Sequence, residues 1–230
     1  FKELNIYYAE KLEVSSKEYQ SIKQIIRNRL INTLKKHRGK KILLVAHSMG
    51  SIIAFDVCNL IVPEIKIHTL ATIGSPLGMP IIVSKIAEEL REFYPDIHKI
   101  RTPQNIRKNW FNFSDIEDNV ALNYNLADDY EENEFQVKVK DTVIVNDYFG
   151  SKEPNPHKSY GYLRSPEFSN MLADFIYADC SSFRLRYLEI LSKIKEKFDY
   201  FRFIQKGEWF EKRCYVSTIG RNWDMGFYNN

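Results

Sequence analysis

Residues 41–58 read KILLVAHSMGSIIAFDVC, and this stretch decides the fold. It begins with a short apolar run over 41–46, which is typical of a strand buried on both faces of a parallel sheet. Ser48 follows almost at once, and residues 51–58 favour a helix that ends before Pro63. The order is therefore a buried strand, a tight turn that contains Ser48, and a helix.

The alternation of strand and helix continues on both sides of this stretch. Upstream, the capping box Ser15–Glu18 and an apolar period predict a helix over 16–37, with Gly39 as its C-cap glycine. Downstream, the pattern predicts strands over 65–73, 109–113 and 137–145, an acidic surface excursion over 121–134, and helices over 82–93, 166–178 and 183–204. This order predicts an α/β fold with a mostly parallel, doubly wound sheet and helices on both faces.

Composition narrows the classes of function. The chain has 230 residues, of which 44% are hydrophobic and 27% are charged, a balance typical of a globular protein. A net charge of +3 without a basic, aromatic-lined face argues against a nucleic-acid partner. The odd number of cysteines, Cys58, Cys180 and Cys214, favours a reducing compartment. Since no apolar run reaches about 18 residues and no signal peptide is visible, we expect a cytoplasmic protein.

The turn around Ser48 has the form small-x-Ser-x-Gly between a strand and a helix. A serine on such a strained turn is exposed above the sheet edge. The turn brings the residues two before and two after it together, so we expect that Ala46 and Gly50 must both be small. The N-terminus of the following helix favours negative charge near Ser48, which makes the Met49 amide an expected oxyanion donor.

This turn resembles the nucleophile elbow of the α/β-hydrolase superfamily, whose usual pattern is Gly-x-Ser-x-Gly, with Ala46 in place of the first glycine. Residues 72–78, TIGSPLG, also resemble the segment after the next strand in lipase-like and esterase-like members. The resemblance covers roughly residues 15–180 and is absent at both ends. It implies a catalytic domain over 1–180, with a C-terminal helical extension over 181–230, and a serine hydrolase in which Ser48 is the nucleophile.

The family places an acid and then a histidine after the serine along the chain. His157 is the only histidine beyond His98 and lies in a turn-rich loop after the alternating strand, so the resemblance implies that it is the base. His47 is adjacent to Ser48 along the chain, and adjacent side chains diverge on an elbow. We therefore expect His47 to be structural.

Three acidic residues compete for the orienting acid, Asp115, Glu117 and Asp118. Residues 118–121, DNVA, resemble the acid-Pro-Val pattern of the family, with Asn119 in place of proline. This likeness favours Asp118 over Asp115. Further acids follow over 128–134, and they predict a solvated surface because they lack the glycine and spacing of a calcium loop.

The resemblance implies cleavage of a carboxylic ester through a Ser48–His157–Asp118 triad and an acyl-enzyme, without a cofactor or metal. The lipase-like segment favours a lipid ester or another small-molecule ester as substrate. Two alternatives stay open. The chain could be a catalytically weak or inactive binding or scaffold module on a hydrolase fold, or an acyltransferase or thioesterase that uses the same elbow.

A second oxyanion donor and the role of the C-terminal part are harder to predict. In the family the second donor comes from a loop well upstream of the elbow, but only 47 residues precede Ser48, with one strand predicted over 4–9 and no Gly-rich stretch. Either the domain is N-terminally incomplete in this chain, which begins with Phe1, or another segment supplies the donor. In the last helix, the basic flank Lys193, Lys195 and Lys197 suits a membrane surface, while packing on a partner or a further domain is an equal alternative.

Overall fold

The apolar run at the start of the deciding stretch is the first strand of a parallel sheet in the computed structural model of the protein. The structure describes residues 7–8, 22–60, 65–93, 99–150, 153–179, 181, 186–187, 189–195 and 197. Over these residues the strands are β1 (Leu43–His47), β2 (Ile67–Ile73), β3 (Ile100–Arg101), β4 (Ile106–Ser114), β5 (Tyr130–Glu131) and β6 (Val139–Val143). The main sheet has the order β1-β2-β4-β6 with every pair parallel, which confirms the predicted α/β class with a parallel sheet.

The helices alternate with the strands as far as β3, after which β4, β5 and β6 follow in succession before the last two helices. They are α1 (Ile22–Lys36), α2 (Met49–Leu60), α3 (Pro80–Phe93), α4 (Ser159–Arg164) and α5 (Pro166–Tyr177). Each helix predicted in the first 180 residues is present over its described residues, whereas the capping box at Ser15–Glu18 lies outside them. The helix α3 begins two residues early because proline suits the first turn of a helix. Within the helix predicted over 183–204, the described residues 186–187, 189–195 and 197 are helical.

The chain divides into two compact units, 1–159 and 160–230. The first contains both sheets of the described residues, and the second contains α5 and almost all of α4. The predicted division into 1–180 and 181–230 stays a prediction, since most of the second range lies outside the described residues. No helix of the described residues is long and apolar enough to span a membrane.

Three aromatic rings form the centre of the core in the first unit. Phe55 on α2, Trp110 on β4 and Tyr130 on β5 are almost fully buried. The Tyr130 ring meets the other two edge-on, with centroids 5.3 Å from Phe55 and 5.2 Å from Trp110. Such edge-to-face pairs add to the free energy gained by burying the rings. These contacts fix α2 and the small strand β5 against the main sheet.

The surface excursion expected over 121–134 is only partly present: Leu122 and Tyr124 are exposed, but three other apolar residues are buried. Ala121, Leu126 and Tyr130 are buried among the acids, and β5 pairs in parallel with β3 to form a second, two-stranded sheet. Two-residue strands are too short to give an alternating pattern, which is why the sequence does not indicate them. The segment therefore contributes apolar side chains to the core, while its exposed carboxylates face solvent.

A buried polar cluster lies around Asp56 and includes Tyr7, and the strand predicted over 4–9 is wrong at its two described residues. Tyr7 and Tyr8 are helical. Tyr7 is 1% exposed, and its hydroxyl donates to Asp56 of α2 at 2.6 Å. Arg27 of α1 donates to the same carboxylate oxygen at 2.6 Å and to Glu89 of α3 at 3.1 Å. Because a buried charge needs a partner, these bonds hold α1, α2 and α3 together around Asp56.

The carboxyl ends of the four parallel strands meet at one edge of the sheet. At this edge the Ser48 amide donates to Ile73 at 3.1 Å, the Gly74 amide to Phe113 at 3.0 Å, and the Ile144 amide to Ser114 at 2.9 Å. The loops that follow the strands therefore begin side by side. In open α/β sheets this edge is where ligands bind.

The segment after β2 is held close against its neighbours at Gly78. Tyr130 donates its hydroxyl hydrogen to the Leu77 carbonyl at 2.9 Å, and Asn123 donates to the Gly78 carbonyl at 2.9 Å. A Cβ built on Gly78 would collide with the carbonyl oxygen of Asn123 and lie 3.0 Å from a methyl of Leu126. A glycine is thus required here by the close approach of another backbone.

We expect Gly78→Ala to lower the free energy of unfolding by about 1–3 kcal/mol, the usual cost of overpacking a filled site. The matched control is Gly50→Ala, whose added Cβ meets no described atom within 4 Å outside its own helix and neighbours. In the first turn of α2 this control should leave stability unchanged or raise it by up to about 1 kcal/mol. Urea denaturation measures both, and equal midpoints for the two variants would contradict the packing described at Gly78.

Candidate active site

Ser48 lies on a sharp turn with an unusual backbone conformation. It follows the last residue of β1, precedes the first residue of α2, and has a φ of +54°. A residue other than glycine is uncommon in this left-handed region, and it keeps this conformation only where its surroundings hold it. The strained turn predicted for the serine is therefore present at Ser48.

A directed chain of hydrogen bonds holds this turn from behind. The Ser51 hydroxyl lies 2.6 Å from the Ser48 carbonyl oxygen, which can only accept, so Ser51 is the donor. Ser75 then has to donate to Ser51 across their 2.7 Å contact, and it accepts from the Leu77 amide at 3.2 Å. Ser51 and Ser75 are buried, which leaves these hydroxyls dependent on one another. The segment that begins with Ser75 after β2 is thus tied to the backbone of Ser48.

The expected steric reason for Gly50 is wrong. Ala46 is buried, as a small residue at the end of β1 can be. However, Gly50 already belongs to the first turn of α2, and a Cβ there would point into open space among the described residues. The turn therefore separates the two positions more than the predicted close approach requires.

The His157 ring reaches Ser48 from a loop 109 residues further along the chain. Its Nε2 lies 2.9 Å from Ser48 Oγ, which is hydrogen-bond distance. The His157 side chain is 31% exposed, so its ring borders solvent as well as the serine. The Ser48 hydroxyl and His157 Nε2 are thus close enough for direct proton transfer.

The Asp118 carboxylate contacts the other nitrogen of the same ring. Its Oδ2 and Oδ1 lie 2.9 Å and 3.0 Å from His157 Nδ1, and Oδ1 also accepts from the Val120 amide at 2.9 Å. The Asp118 side chain is 0% exposed. A buried carboxylate that only accepts requires the proton on Nδ1, which leaves Nε2 as the acceptor for the Ser48 hydroxyl.

Asp115, the competing acid, has a different role in the structure. One of its oxygens accepts from the Glu117 amide at 2.7 Å, and the other accepts from the backbone amide of Asn146, in the loop after β6. It is buried and links the loop after β4 to the loop after β6. Glu117 is exposed beside it. Of the three candidate acids, Asp118 is therefore the one that contacts His157.

Two side chains hold the backbone around His157. Asn146 donates to the Pro156 carbonyl at 2.6 Å and to the Lys158 carbonyl at 2.9 Å, and His47 Nε2 lies 2.8 Å from the His157 carbonyl. Sequence reasoning missed Asn146, because a lone asparagine after a strand gives no signal of its partner ten residues away. It described His47 only as structural.

The Met49 amide is where an oxyanion donor is expected. As the first residue of α2, Met49 has an amide without an intrahelical acceptor, next to Ser48. The second donor stays unassigned, since no other group stands out among the described residues before β1.

A cavity of about 530 Å³ lies beside His157. Its lining includes Asp118, His157, Glu117 and Glu153, so it adjoins the Asp118–His157 pair. Among the residues that the structure describes, no group of three or more His, Cys, Asp or Glu side chains is arranged to hold a metal ion.

We expect Ser51→Ala to destabilise the elbow, because the variant removes the donor to Ser48 and leaves the Ser75 hydroxyl buried without its acceptor. Leaving a buried polar group unpaired costs about 1–3 kcal/mol. The free energy of unfolding from urea titration measures the loss. Ser84→Ala, on the exposed side of α3, is the control and should change stability by less than about 0.5 kcal/mol. A Ser51→Ala variant as stable as the control would show that the hydroxyl chain contributes nothing.

Comparisons of this chain with protein-family models, with curated proteins and with solved structures find no match. The arrangement of Ser48, His157 and Asp118 is therefore the ground on which a function can be proposed.

Proposed function

We propose that the protein is a serine hydrolase of the α/β-hydrolase type that cleaves carboxylic esters. One observation carries the proposal: Ser48 Oγ, the His157 ring and the Asp118 carboxylate form a continuous line of contacts at 2.9 Å each. Each member follows the carboxyl end of a different parallel strand, β1, β6 and β4. The chain order serine, acid, histidine is that of the α/β-hydrolases.

The fold supports the same reading. A parallel sheet whose first strand leads through a serine turn into a helix is the setting of the nucleophile elbow. The left-handed φ of Ser48 is the backbone strain that such an elbow requires. The proposal therefore includes a doubly wound hydrolase architecture. It also includes a role for residues 181–230 as an appendage to it.

The geometry supplies the proton path of an acyl-transfer reaction. His157 Nε2 takes the Ser48 proton as the oxygen attacks the ester carbonyl, and later returns it to the departing alcohol. Asp118 keeps the other ring proton on Nδ1 and stabilises the imidazolium that forms. Water activated by the same nitrogen then releases the acid from Ser48. In this proposal the Met49 amide, at the start of α2, donates to the oxyanion.

The proposed substrate class rests on a resemblance in sequence. The lipase-like segment 74–78 favours lipid or other small-molecule esters. The apolar face of α3 does not add to this, since Ile82 and Ile86 are buried in the core instead of lining an acyl pocket. Acyl transfer to an acceptor other than water, or thioester cleavage, would use the same three residues.

The proposal is tested with a fluorophosphonate probe. An activated serine oxygen of the protein attacks the phosphorus of this probe and displaces fluoride. We expect stoichiometric labelling of the folded full chain, with the adduct on Ser48 by peptide mass spectrometry. Ser48→Ala should abolish labelling, whereas Ser84→Ala, an exposed serine on α3, should not change it. A folded chain that resists the probe would favour the scaffold alternative and refute the hydrolase.

A second prediction separates the two buried acids. Asp118→Asn should lower the labelling rate by about a thousandfold or more, because an amide in this position favours the wrong tautomer of His157. Asp115→Asn should have a much smaller effect, since an amide oxygen can still accept one of the two backbone bonds. The measurement is the second-order labelling rate, with thermal melting as the control for folding. The reverse order of rates would assign the orienting role to Asp115.

A further inference from the structure

Two side chains among the described residues bond to the backbone of the loop that carries His157. Three consecutive carbonyls, of Pro156, His157 and Lys158, accept from Asn146, His47 and Asn146 in that order. His47 is the last residue of β1, and Asn146 lies three residues after the end of β6. The position of the base is therefore set from both outer strands of the main sheet.

The bond from His47 settles where its proton is. A backbone carbonyl has no hydrogen to give, so the 2.8 Å contact requires a hydrogen on His47 Nε2. Burial of the His47 ring lowers its pKa, as do the nearby His157 ring and Lys158, while the bond to the His157 carbonyl and the Asp118 carboxylate act in the opposite direction. At neutral pH His47 is then a neutral donor with its proton on Nε2.

The two imidazole rings are also in contact. Their centroids lie 4.7 Å apart with an angle of 33° between the planes. In the proposed reaction His157 becomes a cation when it takes the Ser48 proton, and a second cation at this distance would oppose that step. A neutral His47 can pack against the ring without this repulsion, and its bond to the carbonyl limits how far the His157 backbone can move.

We propose that His47 is a positioning residue of the hydrolase: its Nε2 hydrogen bond to the His157 carbonyl and its ring contact hold the base against Ser48. This inference rests on the proposed function. His47 does not touch the reacting atoms through any of these contacts, and it acts through His157. Small displacements of a base are costly, since about 1 Å of misplacement can reduce a rate a hundredfold.

The test compares variants that keep or remove the donor. Glutamine can place an amide hydrogen near the position of Nε2, whereas leucine fills similar space without a donor. We expect His47→Leu to lower the first-order rate of fluorophosphonate labelling at saturating probe about ten- to a hundredfold, with the half-saturating probe concentration unchanged. His47→Gln should recover most of that rate. The control is His37→Leu, an exposed histidine that precedes β1 at the opposite edge of the sheet.

The outcomes distinguish the proposed hydrolase activity from the positioning role of His47. No labelling of the parent chain at Ser48 would refute the hydrolase and this inference with it. Labelling of the parent together with parental rates in His47→Leu would refute the positioning role alone. A loss of rate that is equal in His47→Gln, or that parallels a fall in melting temperature, would show a merely structural residue. If His47→Leu does not fold, His47→Asn, whose amide is too short to reach the carbonyl, takes its place with the same expectation.

Discussion

The left-handed backbone at Ser48 is the constraint around which the site is arranged. A side chain in this conformation costs about 1–3 kcal/mol and is kept only where neighbouring contacts hold it. Here the Ser48 amide is bonded to the end of β2, and the Ser48 carbonyl accepts from Ser51, itself bonded to Ser75. The turn is therefore held from both sides by groups that do not take part in the proposed chemistry. Its effect is to place one hydroxyl above the sheet edge, next to the start of α2.

A parallel sheet explains how residues far apart in sequence come together at this turn. Ser48 and His157 are 109 residues apart, and Asp118 and His157 are 39 apart. Because each strand runs in the same direction, the loop after each one begins at the same edge. The amide–carbonyl bonds between successive strand ends bring the loops close before any side chain contributes. Asp115, Asn146 and His47 then fix the remaining freedom of the loops that carry Asp118 and His157.

Local patterns in the sequence predict β1, the strained turn at Ser48 and α2, and all three are present. The apolar run before Ser48 and the immediate helix after it are short-range signals, and His157 is distinguished by being the only late histidine. The strands β3 and β5 are too short to show a period. The error at Gly50 has another cause: a steric rule for the turn was applied without knowing the direction in which α2 leaves it. Asn146 and Ser75 act through tertiary hydrogen bonds, which no local pattern encodes.

The hydroxyl chain behind Ser48 has a fixed electrical direction. At one end the Leu77 amide can only donate, and at the other the Ser48 carbonyl can only accept, so Ser75 and Ser51 cannot reverse their hydrogens together. A closed ring of hydroxyls would have two arrangements of its protons, but this open chain of hydrogen bonds has only one arrangement. Its O–H dipoles are therefore permanently ordered, with their positive ends turned towards the peptide group of Ser48. The turn at Ser48 thus has a small built-in field of constant sign, and in the proposed reaction these dipoles need no reorientation.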